Sequence, residues 1–162
     1  VLTACGGFQK EDMKIEHFKS QSKHKELQLD YKNLLGCCNG GVGLPQKQQT
    51  CDTFKGDKEL SLNPSVESDF NKMQIYYTKY GTIFSNDENF NKEINEVLNL
   101  NVTSLENDRK SVLEGVKSAL NKKQGTRTKE QIQKALKNFK SEHKSLYGIV
   151  VYYLEKRLKK LK

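Results

Sequence analysis

From position 86 onward, apolar residues recur at three- and four-residue intervals. In NDENFNKEINEVLNL (86–100), Phe90, Ile94, Val97 and Leu98 fall on one face, with Asn86 or Asp87 placed to cap. TSLENDRKSVLEGVKSALNKK (103–123) repeats the pattern through Leu105, Val112, Leu113, Val116 and Leu120, with Thr103 or Ser104 as cap, and GTR (125–127) breaks it. TKEQIQKALKNFKSE (128–142) turns Ile132, Leu136 and Phe139 inward. KSLYGIVVYYLEKRLKKL (144–161) predicts a fourth helix whose closing lysines suit its carbonyl end. Ahead of these helices, QIYYTKYGTIFS (74–85) alternates β-branched and aromatic residues around KYG, the pattern of a β-hairpin.

The first third of the chain lacks helical periodicity. CGGFQKEDMKIEHF (5–18) predicts a turn-rich hairpin with MKIEHF as its second strand. DYKNLLGCC (30–38) suggests one helical turn, and CDTFKGDKEL (51–60) a short helix with Asp52 near its start. The fold class is therefore α+β, divided into a metal-and-loop module over residues 1–65 and a hairpin plus helical region over 66–162. No internal repeat is visible.

Composition sharpens this division. Of the 162 residues, 35% are apolar, against about 45–50% in typical domains, so the core is modest and order is expected to draw on a metal or a partner. The formal charge of +8 suits a polyanion, either nucleic acid or an anionic surface, or serves solubility. The longest apolar run, YGIVVYYL (147–154), falls far short of the roughly 18 residues of a membrane span. The opening VLTACGGF has neither a basic segment nor a long apolar one, so a cytoplasmic protein with reduced cysteines is expected. The chain opens on Val1, and residues preceding it are expected.

Three of the four cysteines fall between positions 37 and 51. Cys5, Cys38 and Cys51 sit at turns that a structural zinc site favours, and the glycine- and glutamine-rich NGGVGLPQKQQT between Cys38 and Cys51 can loop out and return. Cys37 is either a fourth ligand or a small buried side chain. The other reading of the set is reduced core thiols. Glu16 and His17 place a hard carboxylate ligand beside an imidazole able to take a proton at neutral pH. Strand neighbours face opposite ways, so the pair cooperates only if the strand ends there. Asn33, Asp52 and Lys55 follow downstream; Lys55 is either a phosphate contact or a solvated lysine. His24 and His143 read as surface residues.

The order CG, IEHF, KNLLGCC, CDTFKG resembles the HNH, or ββα-metal, nucleases. The finer likeness is to the PtuB-like effectors of the Septu antiphage system and of some retrons. It is carried by LQLDYKNLLG, CNGG, CDTFKG and LSLNP within residues 13–64. It continues through YGTIFSNDENFNKEINEVLNLN, NDRKSVLEGV and YGIVVYYLEKRLK, nearly the whole chain. Leu2 departs from the pattern, standing where the family has the first cysteine of its knuckle. FKSQS also replaces a usual proline.

The resemblance implies a ββα-metal core and a metal-dependent endonuclease acting on nucleic acid, DNA or RNA, in bacterial phage defence. It assigns His17 as general base, Glu16 and Asp52 as ligands of a catalytic Mg²⁺ or Mn²⁺, and Asn33 as the pin of the loop bearing His17. Lys55 would contact nucleic acid, and Cys5, Cys38 and Cys51 would hold a structural Zn²⁺ in an incomplete site. The helical region would dock a PtuA-like ATPase, with Tyr147, Tyr152 and Tyr153 either at that interface or packed inside. The alternative is a catalytically idle zinc-ribbon-type module that binds nucleic acid or protein. No membrane partner is implied.

Overall fold

The computed structural model describes residues 13–121, 128–142 and 146–161. Cys5, His143, the expected first strand within residues 5–12 and the GTR break lie outside the described residues. The described chain is a mixed α+β fold with two small antiparallel sheets and a series of helices.

Strand β1 (Met13–His17) pairs antiparallel with β2 (Leu34–Cys38), running from Met13 opposite Cys38 to His17 opposite Leu34. The sequence assigned LLGCC no strand. Its one helical turn survives only as a 3-10 turn at Tyr31–Asn33, where the Asp30 carboxylate accepts from the Lys32 N–H at 2.9 Å. LLGCC lacks β-branched residues and has a central glycine, so local propensity is weak, and it is pairing with β1 that makes it a strand.

After β2 the chain turns through Gly40, whose φ of +62° and close approach to the Thr50 carbonyl leave no room for a Cβ. A 3-10 turn at Gln46–Gln48 then leads into the expected short helix α1 (Cys51–Lys55). A further helix, α2 (Glu67–Met73), has no counterpart in the hydrophobic pattern; Met73 is its one buried residue. So short a helix forms through packing rather than propensity.

The predicted hairpin is present as β3 (Tyr76–Tyr77) and β4 (Ile83–Phe84). Helix α3 (Glu88–Glu96) is capped by Asp87, which accepts from the Phe90 N–H at 2.8 Å. Helix α4 (Thr103–Asn121) begins at Thr103 rather than being capped by it, and α5 (Lys129–Glu142) and α6 (Tyr147–Lys159) complete the helical half.

Two apolar clusters hold these elements. The first joins Cys38, Cys51 and Leu62 to Met73, Ile83, Phe90, Ile94 and Leu100, so it runs across position 65. The second gathers Leu113, Ile132, Ile149, Val150 and Leu154 from α4, α5 and α6, and Tyr77 packs against both. Tyr152 meets Tyr76 edge-on at 6.2 Å and Tyr77 at 5.7 Å, while Tyr153 packs on the second cluster. Arg109, fully buried, donates to the Gly81 carbonyl at 2.9 Å and to the Leu100 carbonyl, tying α4 to the hairpin and to the end of α3. Among the described residues no helix is long and apolar enough to cross a membrane.

Candidate metal and catalytic site

The period of two along β1 sorts its side chains. Lys14 and Glu16 point to α1, where Lys14 pairs with Asp52 and donates to the Thr53 hydroxyl at 2.7 Å. Lys55, at the end of α1, places its ammonium 2.6 Å from Glu16 and 3.3 Å from the His17 carbonyl. The Glu16 and Asp52 carboxyls lie close enough for each to shift the other's ionisation. Between sheet and helix there is thus a half-buried cluster of two carboxyls and two ammonium groups.

Two touching carboxyls do not both stay ionised easily. Burial pushes Glu16 up, Asp52 pushes it further by hydrogen bond and charge, and Lys55 pulls it back, leaving it at about 7. The 2.6 Å contact with Lys55 argues for an ionised Glu16, while burial and Asp52 argue for a protonated one. A value near 7 means that both forms are populated at neutral pH. Burial also raises Asp52, but the bond from Glu16 and the Lys14 ammonium outweigh it and hold Asp52 below the usual carboxylate range. The proton of the pair therefore resides on Glu16.

Lys55 corrects one sequence reading. It is 3% exposed, so it is not a solvated lysine, and its ammonium is committed to Glu16 rather than presented to an external phosphate. Lys14 was not singled out in the sequence, although its position two residues before Glu16 puts it on the same face of the strand.

β1 ends at His17, as cooperation with Glu16 requires, yet the imidazole turns the other way. Its Nε2 lies 2.9 Å from the Gln28 carbonyl and 3.0 Å from the Gln21 amide nitrogen. A carbonyl can only accept, so Gln28 favours the tautomer with the proton on Nε2 and the lone pair on Nδ1. The Gln21 amide nitrogen favours the opposite one. Neither glutamine was singled out in the sequence.

Asn33 is buried at the end of the loop that follows His17. Its Oδ1 accepts from the Lys19 N–H at 2.8 Å, and its Nδ2 donates to the carbonyls of Lys19 at 3.0 Å and Leu27 at 3.2 Å. The Phe18 N–H donates to the Asn33 carbonyl at 2.9 Å. Asn33 thus fastens the chain one and two residues beyond His17, acting through the backbone and not through the ring. His24 bonds Glu59 at 3.1 Å, and Glu59 also holds Lys19 at 2.7 Å; this outer ion pair braces the same loop.

The thiols of Cys38 and Cys51 are both buried and 3.5 Å apart. Two sulfurs each about 2.3 Å from one tetrahedral zinc would be about 3.8 Å apart, so the spacing fits a shared soft metal. Cys37 faces the carboxyls instead. Burial first, then the charges of Asp52 and Glu16, push its thiol up to about 12, which keeps it protonated and a poor ligand. Among the described residues no group of three or more His, Cys, Asp and Glu side chains is gathered as a metal cage. The two oxygen donors of Glu16 and Asp52 suit a hard divalent ion that keeps several of its waters.

Cys51 itself has φ of +54°, uncommon for a residue with a Cβ, and its N–H donates to the Leu98 carbonyl at 2.8 Å. Asn99 donates to the carbonyls of Lys47 and Gln49, at 3.2 and 2.8 Å. The end of α3 therefore fixes how the chain arrives at Asp52. No protein-family model matches the chain, and no curated protein matches it.

Proposed function

We propose that this chain is an HNH-type, ββα-metal endonuclease that hydrolyses phosphodiester bonds in nucleic acid, as the effector of an antiphage complex with a PtuA-like ATPase. The observation that carries the reading is the contact between Glu16 and Asp52, made by two antiparallel strands and a short helix, with His17 at the end of the first strand. A purely structural strand pair has no need for a carboxyl pair in which one member, Glu16, titrates near neutrality.

In this reading Glu16 and Asp52 hold Mg²⁺ or Mn²⁺, and Lys14 and Lys55 balance their charge in the free protein. Such an ion, held by Glu16 and Asp52, would supply charge stabilisation to the phosphate and the leaving oxygen. His17, in the tautomer that the Gln28 carbonyl favours, would offer Nδ1 to a water as general base. Asn33 keeps the chain after His17 in place. Cys38 and Cys51, with Cys5, are the proposed ligands of a structural Zn²⁺.

The test is a cleavage time course on DNA and RNA with Mg²⁺ or Mn²⁺, with and without the ATPase. His17→Ala is expected to lose about 10²–10⁴-fold while staying folded by circular dichroism. Asp52→Ala is expected to lose at least as much, and added metal restores part of its activity but none of that of His17→Ala. Wild-type rates from folded His17→Ala remove the nuclease reading. Binding without cleavage by the wild-type complex leaves the chain as a nucleic-acid or protein-binding module.

A further inference from the structure

Three apolar side chains of β1 and of the loop that follows His17 stand out in solvent. Leu29 is 91% exposed, Tyr31 86% and Ile15 72%. Ile15 lies two residues before His17, on its side of β1 and away from the Lys14–Glu16 face. Leu29 follows Gln28, whose carbonyl touches the imidazole. The Tyr31 carbonyl accepts from the N–H of Leu34, the residue paired with His17 across the sheet.

The loop that carries them is built rather than loose. Asp30 caps the turn at Tyr31, the Asn33 N–H donates to the Asp30 carbonyl at 2.9 Å, and the Asn33 side chain locks the Leu27 carbonyl. An exposed tyrosine on a fixed backbone loses little entropy when something stacks on it. Lys25 and Lys32 are exposed on either side of Leu29 and Tyr31 along the same loop, with Glu26 and Asp30 exposed between them.

We propose that Tyr31, with Leu29 beside it, is a stacking platform for an unpaired base of the substrate, so that the site prefers single-stranded or looped nucleic acid to a duplex. The proposal rests on the nuclease reading above. Aromatic faces flanked by cations are how unpaired bases are held: the ring takes the base and the ammonium groups take the phosphates. A base inside a duplex has no face to offer. A protein partner is the less favoured occupant, because interface cores are depleted in lysine and this loop is interleaved with it.

The test measures binding rather than cleavage. RNA and DNA oligonucleotides carrying 2-aminopurine, single-stranded and duplex, are titrated in Ca²⁺ against the full chain with its ATPase partner. Binding of the single strand is expected to quench 2-aminopurine, and Tyr31→Ala to abolish the quench and weaken single-strand affinity about tenfold. Tyr31→Phe is expected to keep both, and duplex affinity to stay within about twofold in either variant. Unchanged single-strand affinity in a folded Tyr31→Ala, or equal losses for single strand and duplex, overturns the platform. Loss of ATPase association in Tyr31→Ala with unchanged oligonucleotide binding assigns the loop to a protein partner instead. Cleavage that persists while Tyr31→Ala binds normally sinks the platform and leaves the nuclease standing. Quenching by a wild-type protein that never cleaves upholds the platform and sinks the nuclease.

Discussion

The Lys55 ammonium lies 2.6 Å from the Glu16 carboxylate, and the lysine is 3% exposed. Breaking a buried pair leaves a charge without compensation, whereas an exposed pair is screened by water. Lys55→Met is expected to destabilise the protein by about 3 kcal/mol, the low end for a buried pair, because Glu16 can take up a proton. Lys140→Ala, which breaks the exposed contact with Glu155, is expected to cost under about 1 kcal/mol. Urea unfolding of both variants checks the contrast, and equal losses would contradict the burial argument.

The raised Glu16 carboxyl makes the metal-free protein pH-sensitive. Below pH 4.5, Glu16 holds its proton both folded and unfolded, and its contribution to stability is fully present. As pH rises from 4.5 to about 7, the unfolded chain releases this proton while the folded one keeps it, so the contribution is lost. Glu59 runs the other way: Lys19 and His24 hold it down at about 2, so its stabilisation is present above 4.5 and disappears as pH falls. Urea midpoints are expected to decline more steeply between pH 4.5 and 7 in the wild type than in Glu16→Gln. Parallel profiles would show that Glu16 titrates normally.

Asn33→Ala removes three hydrogen bonds from a buried amide and strands the Lys19 N–H and two carbonyls. A cost of about 2–3 kcal/mol is expected, together with faster amide exchange over residues 18–28. Asn33→Asp is expected to be an incomplete rescue, since a carboxylate accepts from Lys19 and donates to neither carbonyl. Hydrogen exchange by mass spectrometry measures this directly.

Zinc retention separates the cysteines. In the proposed zinc site, Cys38→Ala and Cys51→Ala are each expected to lower the zinc that co-purifies with the chain and its melting temperature. Cys37→Ala, which removes a protonated thiol from beside the carboxyls, is expected to keep the zinc. Elemental analysis of the purified variants gives the answer; equal zinc loss from Cys37→Ala would move the metal toward the acid cluster.

The helical stripes were readable because apolar residues recur every three or four positions within each helix, and Phe90, Ile94, Leu113 and Ile132, read as inward, are almost fully buried. Asp52 at the start of α1 and Asn33 before β2 were readable from residue type and order. Leu34–Cys38 was not, since its strand character comes from a partner about twenty residues away and not from its own side chains. Lys55, read as a phosphate contact or a solvated lysine, misled for the same reason: only the antiparallel register, which brings Glu16 over the end of α1, buries it. Tyr31 lies within LQLDYKNLLG, yet neither it nor Gln21 and Gln28 was singled out for a role, because their relation to His17 exists only once the loop is folded.

The bond from the Cys51 N–H to the Leu98 carbonyl gives the helical half a handle on the acid cluster. Asp52 is one residue along the backbone from that bond, and Cys51 already sits in a costly conformation. A partner that nudged the end of α3 would drag the first turn of α1 with it, changing the spacing of the two carboxyls without touching either. The helical half and the acid cluster thus share a single mechanical joint, the peptide hydrogen bond between Leu98 and Cys51.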